Sequence, residues 1–340
     1  MHGQAGCGAQ EGSWGRGMNI VRSLTYAVRA LRRECLEFRF HYPVEEVKEA
    51  GPVDSLHYYV WSDSLFLENM DFDSAGIPRK SYRRQGPQYN PLFIAWWGLH
   101  TLERYLRKGD KTDLEKSLAQ VRWLKTNAVR RADGAAVWPC YFTWREGRCV
   151  LESGWISAMY QSVVISLLVR GYRVTGDPDL LELCLQGTRV FHQSVEEGGV
   201  RTIEQGHVLY EEYPAFPLPR VLDGLIFSLL GLHDLAVQTR NPEVEALLKQ
   251  GVEGLKSSIG MWDYRGKWSW YGTHGYLCPP HYHTLNYLLL GILGRQTGDA
   301  ALMNHAAQWN VCNLSLLSKA EVYVVFLLSK NLARLRLPSN

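Results

Sequence analysis

One turn signal recurs four times along the chain and limits the possible folds more than any other feature. It reads "RKGDKTDLEKSL" at Gly109, "VTGDPDLLEL" at Gly176, "QTRNPEVEALL" at Asn241 and "QTGDAALMNHA" at Gly298, at intervals of 57 to 67 residues. In each copy Gly or a substitute closes one apolar-periodic segment, and Asp or Asn opens the next. Glycine tolerates the left-handed backbone that ends a helix, and an Asp or Asn side chain accepts from the free amides that begin one. Pro178 and Pro242 are expected just inside the new helix, where a missing N–H leaves no bond unmade. Residues 91–107 place Ile94, Trp97, Leu102 and Leu106 at helical spacing. Residues 156–174 are apolar almost all round, which predicts a deeply buried helix. Hairpins in series stack into a solenoid or close into an α/α toroid. The nearly all-apolar helices favour the toroid, whose inner ring is covered on both sides.

The predicted class is therefore mainly α, an (α/α) toroid over residues 89–336, either a full ring or one short of closure. Residues 18–88 are predicted as an N-terminal helix and a β-containing lead-in. "LEFRFHYPVEE" and "HYYVWSDSLFLENMDFDSAGIP" are short, aromatic and broken by turns. Residues 1–17 are Gly-rich and predicted disordered. From Met18, "MNIVRSLTYAVRALRREC" is interrupted by Arg22, Arg29, Arg32 and Arg33, which a signal peptide would not tolerate. It reads as a basic amphipathic helix that packs on the domain or touches an anionic membrane surface. Residues 136–151 are expected to form a hairpin turning at "REGR". Residues 262–281 form a long polar-aromatic loop, and loops of that length are often functional.

Composition removes several classes. With 340 residues, 46% of them hydrophobic, a substantial core is available. A net charge of +3, with no block of like charge, gives no footprint for nucleic acid and suits an anionic substrate. The 12 Trp and 18 Tyr are numerous enough to supply sugar-stacking faces as well as core. Seven cysteines without a CxxC pair read as free thiols in a reducing compartment. No run of about 18 apolar residues occurs. The expected location is cytoplasmic, with contact at the inner membrane as an option. Phosphate loops, dinucleotide fingerprints and the G-x-S-x-G elbow are all missing.

Three stretches carry candidate chemistry. "YEEYPAFPLPR" sets Tyr210, Glu211, Glu212, Tyr213 and Arg220 on a proline-stiffened segment ahead of an apolar helix. "PPHYHTLNYLLL" begins a helix with Tyr282 and His283. "LESGWISAMYQ" brings Glu152 and Trp155 to a helix entry. His274, His281 and His283 lack the one-turn spacing of helical metal ligands, and no metal is expected.

Together "LESGWISAMYQSVVISLLVRGYRVTGD", "YEEYPAFPLPRVLDGLIFSLLGLHDL" and "YHTLNYLLL" resemble, in order and spacing, the C-terminal domain of the D-glucuronyl C5-epimerases. "YNPLFIAWWGL" resembles a segment near the start of the same family, so the likeness runs from about residue 89 to 310. The resemblance implies an α/α toroid that converts D-glucuronate to L-iduronate within heparosan-type polymers, without a cofactor. It implies Tyr213 and Tyr282 as opposed acid/base groups and Glu212 as auxiliary base. Glu211, Tyr210, Arg220, Tyr271, His274, His283, Trp155 and Tyr89 are the implied substrate contacts. An acidic glucuronate polymer is the implied partner, with peripheral membrane contact and a homodimer as further expectations. Two positions depart from the family pattern: Asn286 stands where "YHxxH" has His, and His274 falls where an Arg is usual, leaving Arg220, Arg265 or Lys267 to meet the substrate carboxylate. Other readings stay open: a uronate lyase, a glycoside hydrolase using Glu152 with Glu212, or a catalytically degenerate carbohydrate-binding member.

Overall fold

The computed structural model describes residues 28–336 except 30, 37, 41, 52–54 and 63–69. The predicted 1–17 extension and the start of the helix from Met18 lie outside these residues. A short helix, α1, covers residues 31–36. Four helical hairpins follow: α2 (Pro91–Lys108) with α3 (Lys111–Thr126), α4 (Ala158–Thr175) with α5 (Asp179–Gly187), α6 (Leu222–Thr239) with α7 (Pro242–Ser258), and α8 (Pro280–Thr297) with α9 (Ala300–Trp309). A final helix, α10, spans Leu316–Arg336.

The repeated turns form as their chemistry dictates. Gly109, Gly176 and Gly298 close their helices at φ of 73°, 75° and 69°. At the third turn Arg240 takes the left-handed position at φ 53°. Asp110, Asn241 and Asp299 then cap the next helix through their side chains. Pro242 is inside its helix as expected, whereas Pro178 stands one position before α5.

Helices α2, α4, α6 and α8 pack side by side in chain order, and α3, α5, α7 and α9 each back their own partner. This is the expected (α/α) toroid architecture. Helix α4, covered by α2 and α6 and backed by α5, is buried over its first fourteen residues. A methyl group at Gly231 of α6 would overlap the Ser162 backbone of α4, so glycine permits the close approach of these two inner helices.

The lead-in closes one end of this ring. Arg295 at the end of α8 pairs with Glu46 at 2.5 Å. Arg170 near the end of α4 donates to the carbonyls of Leu56 and His57. His57 pairs with Glu103 of α2 at 3.0 Å, and the Tyr59 hydroxyl donates to Asp234 of α6 at 2.8 Å. The described residues 46–51 and 55–59 thus reach the C-terminal ends of all four inner helices. Arg170 and Asp234, themselves 2.7 Å apart, anchor them from below. The predicted strands of this region appear as a pair, 45–46 with 60–61, and a three-stranded sheet of 70–72, 78–82 and 86–89.

The predicted 136–151 hairpin is shorter than expected. Trp144–Glu146 pairs with Cys149–Leu151 and turns at Gly147 and Arg148, while Ala136–Val137 pairs back with Val129–Arg130. Six described cysteines are free thiols, and Cys7 lies outside the described residues. Among the described residues no helix is long and apolar enough to cross a membrane.

Candidate active site

With one end of the ring covered, the polar chemistry gathers at the other, where the inner helices begin. Asn90 caps α2 and donates to the Tyr82 hydroxyl at 2.8 Å. Tyr160 stands in the first turn of α4, Asp223 and Gly224 in the first turn of α6, and Tyr282 in the first turn of α8. Glu212 and Tyr213 reach this layer from the segment that leads into α6.

Glu212 is fully enclosed. A methyl group at Gly224 would overlap its carboxyl group, so it lies directly on the start of α6. Burial drives its pKa well above the carboxylate range and the neighbouring Asp223 charge adds to the rise, opposed by a hydrogen bond from Tyr213. Asp223 is pushed up to about 7 by burial, despite bonds from its own amide and that of Gly224, with Glu146 adding to the rise. Two neighbouring carboxyl groups buried in this way resist being charged together, because charging both in a dry site is unfavourable.

Glu146 supplies the third carboxyl group, from the strand before the Gly147–Arg148 turn. It acts on Glu212, Asp223, Tyr213, Tyr271 and Tyr282. Its Oε1 lies 3.0 Å from His274 Nε2, an ion-pair distance without hydrogen-bond alignment. His274 is held at its other nitrogen, 2.9 Å from the Tyr271 carbonyl. Glu146 and His274 line a cavity of about 290 Å³ with Arg148, Pro217, Pro219 and Thr273, which forms the mouth of the site.

Three phenols wall the acids. Tyr271 packs its ring 5.4 Å from Tyr282, and its electrostatic influence reaches Tyr213. Tyr213 is backed by Trp155, 6.0 Å between ring centres, and Trp155 is fixed by its indole N–H to the Phe142 carbonyl. All three phenols are raised above the ordinary value, by burial first and then by the surrounding acids. The resting site therefore holds neutral phenols beside the raised carboxyl groups of Glu212 and Asp223.

Of the residues singled out in the sequence, the structure brings Glu212, Tyr213, Tyr271, Tyr282, His274 and Trp155 to this end of the ring. It draws the others away. Tyr210 is buried against α7 and donates to the Leu247 carbonyl at 2.8 Å. Glu211 forms a buried ion pair with Arg220, which also holds Glu204 at 2.8 Å and donates to the Thr202 hydroxyl at 2.5 Å. Arg220 is thereby neutralised internally rather than presented to a ligand. Arg265 and Lys267 both pair with Glu321. His283 stacks on Trp268 at 3.6 Å, accepts from the Ser269 amide and donates to the Trp309 carbonyl. Burial lowers its pKa to about 3, so it is a neutral core residue. Asn286 donates to the Ser269 hydroxyl and belongs to the same buried cluster. Tyr89 lies on a separate groove of the surface, bonded to Asp73. Glu152 is exposed beside Thr143 and does not form a buried pair with Glu212.

Sequence reasoning missed Glu146 and Asp223. Asp223 was visible as the lone acid in "VLDGLIFSLL", but an acid in a first helical turn has an ordinary explanation in the helix dipole. Glu146 was absorbed into the expected turn. Among the described residues no group of three or more His, Cys, Asp or Glu is placed to hold a metal ion.

The fold and the buried acid–phenol cluster lead to comparison with known proteins. Residues 132–311 match the family model described as the D-glucuronyl C5-epimerase C-terminus. The chain belongs to the D-glucuronyl C5-epimerase family, a family of carbohydrate epimerases. It is 30% identical over 210 residues to the D-glucuronyl C5-epimerase of Caenorhabditis elegans, a match covering 56% of this chain and 34% of that protein. It is also 30% identical over 163 residues to an uncharacterised protein of Methanocaldococcus jannaschii, covering 47% of this chain and 53% of that protein. The chain thus spans about half or less of the length of these relatives. Among solved structures, an α-mannanase of Bacteroides thetaiotaomicron aligns at a TM-score of 0.47 with 11% identity, covering 80% of this chain and 78% of that one.

Proposed function

We propose that this protein is a C5-epimerase of uronate residues in a polysaccharide, converting D-glucuronate to L-iduronate units of a heparosan-like chain. The observation that carries the reading is the buried pair Glu212 and Asp223, with half-buried Glu146 at the mouth, walled by Tyr213, Tyr271 and Tyr282, where the inner helices begin. Epimerisation removes the proton at C5, alpha to a carboxylate, and returns one to the opposite face. It needs a base on one side, an acid on the other, and a place where the charge growing on the substrate carboxylate is met.

The raised phenol pKa values argue against a tyrosinate as the starting base. The expected phenol pair is therefore refined. Glu212, bonded to Tyr213, accepts the C5 proton when the proton it shares with Asp223 rests on Asp223. Tyr282 donates its phenolic proton to the opposite face. Turnover leaves Glu212 protonated and Tyr282 ionised, so one proton must return from the first to the second. Tyr213 and Tyr271, which lie between them electrostatically, are the groups for that return. The substrate carboxylate is received by hydrogen-bond donors and by the positive ends of the inner helices rather than by a paired arginine. Arg148 at the mouth suits the acidic groups of neighbouring sugar units.

Incubation with heparosan in deuterated water tests the reading. Proton NMR should report deuterium at C5 and new iduronate signals with chain length preserved. An unsaturated, ultraviolet-absorbing product would point to a lyase instead. No exchange on heparosan, N-sulfated heparosan or another glucuronate polymer would overturn the epimerase reading.

A further inference from the structure

A second cavity, of about 380 Å³, lies outside the catalytic end and has no role in the chemistry above. Its walls are aromatic. The buried Trp138 lies at its base, with the indole N–H donating to the Leu124 carbonyl at 2.8 Å. Tyr89 and Trp123 stand together with ring centres 5.4 Å apart, and a 2.7 Å hydrogen bond to Asp73 holds the Tyr89 ring in place. Tyr141 also lines the cavity and is 66% exposed. Asn127 and Thr126 add polar groups at the edge.

Large aromatic faces fixed in position yet left open to water are costly to a fold that has no use for them. A flat ring with a polar rim matches a pyranose, which offers an apolar C–H face and a girdle of hydroxyls. The groove is also tied to the catalytic site. The segment that supplies Trp138, Pro139 and Tyr141 to the groove supplies Glu146 and Arg148 to the catalytic mouth. Within it Phe142 turns inward against Trp155, which backs Tyr213. Glu146 is the fifth residue after Tyr141, so the two Cα atoms, one on each cavity, are at most roughly 18 Å apart. That is the reach of a short oligosaccharide.

We infer that the groove of Tyr89, Trp123 and Tyr141 is an outlying subsite, which stacks a sugar ring of the same polymer whose reacting uronate lies at Glu212. The inference rests on the polysaccharide reading above. It makes the protein prefer chains long enough to span both cavities. A short oligosaccharide engages the catalytic end alone, while a longer one is held at two points and dissociates more slowly.

Calorimetric titration of the full chain with a heparosan disaccharide and decasaccharide tests this, using wild type, Tyr141→Ala, Tyr141→Phe and Trp123→Ala. Tyr141 lies in solvent, so its loss leaves the core intact. The decasaccharide should bind wild type more tightly than the disaccharide. Tyr141→Ala and Trp123→Ala should weaken decasaccharide binding roughly tenfold, and Tyr141→Phe should retain it because the stacking face survives. Disaccharide binding should not discriminate among the variants. Tight decasaccharide binding that Tyr141→Ala and Trp123→Ala leave unaltered would overturn the subsite while leaving the epimerase reading in place. Failure of wild type to bind any glucuronate oligosaccharide, or to exchange its C5 proton, would overturn the reading on which the subsite rests, and the subsite with it.

Discussion

Glu212 is seated on Gly224, with no room between its carboxyl group and the backbone at the start of α6 for a side chain. The glycine lets the carboxyl group reach the first turn of the helix beside Asp223. Gly224→Ala therefore acts on chemistry and on folding together. Alanine is a good helix former, but its methyl group would overlap Glu212 Cβ as well as the carboxyl group, so the backbone at Glu212 must give and the melting temperature should fall. A shift of Glu212 by about 1 Å should lower kcat about a hundredfold. C5 exchange rate and melting temperature, measured on the same preparation, check it. Full exchange in Gly224→Ala would show that Glu212 need not occupy this seat.

The separate roles proposed for Glu212 and Tyr282 predict different failures in their variants. Glu212→Gln removes the base, so C5 exchange and inversion should fall together, by roughly 10²–10⁴-fold. Tyr282→Phe removes only the acid of the opposite face. Glu212 can still take the C5 proton and return deuterium to the same side. That variant should exchange at C5 while forming no iduronate. Tyr213→Phe should slow both outcomes by leaving Glu212 without its hydrogen bond. NMR of the uronate ring separates exchange from inversion. Inversion at the wild-type rate in Tyr282→Phe would remove Tyr282 from the mechanism.

The parts of this molecule legible in its sequence are those set by neighbours along the chain. The hairpin turns at Gly109, Gly176 and Gly298 follow from caps that act within a few residues, and even Arg240 sits where the spacing demanded a helix end. Residues 55–59 were not legible in the same way. They are held by Tyr59 to Asp234 and by Arg170 to His57, contacts 175 and 113 residues apart in sequence, which no local pattern signals. The site divides on the same line. Glu212, Tyr213 and Tyr282 stood out within short motifs. Glu146 joins them only because the hairpin at 144–151 folds over the ring. Arg220 and His283 looked available because sequence does not reveal that Glu211 and Trp309 already occupy them.

The Glu211–Arg220 pair should behave as a structural element. Arg220 satisfies Glu211, Glu204 and Thr202 together, all on or beside the strand pair of 201–204 and 207–210. Arg220→Ala strands the buried Glu211 carboxyl group, and removing one partner of a buried pair costs about 3–5 kcal/mol. Arg220→Lys should recover little, since one ammonium group cannot replace a planar fork that reaches three acceptors. Thermal or denaturant unfolding checks both. The KM of whatever protein remains folded should change little. A large rise in KM at wild-type stability would instead make Arg220 a substrate ligand.

Asp223 gives the site a dependence on pH whose sign follows from its burial. Its pKa in the fold is raised to about 7, while an aspartate in the unfolded chain titrates near ~3.9. Between those values the folded protein retains a proton that the unfolded chain has lost. Stability from this group is complete below the unfolded value and is lost as pH rises through the folded one. Glu212, also raised, contributes with the same sign. Surface acids with lowered values, such as Asp73 and Asp177, act in the opposite direction but are common to wild type and variant. Asp223→Asn removes the titrating group and keeps its shape. The melting temperature of wild type should therefore fall more steeply than that of Asp223→Asn as pH rises from about 5 to about 8. In the proposed mechanism activity depends on the same proton: with both carboxyl groups protonated there is no base, and with both ionised the substrate carboxylate meets two like charges. The rate in wild type should pass through a maximum whose alkaline limb reports the shared proton, and Asp223→Asn should shift that limb. Identical melting slopes and identical rate profiles in the two proteins would mean that Asp223 carries no retained proton.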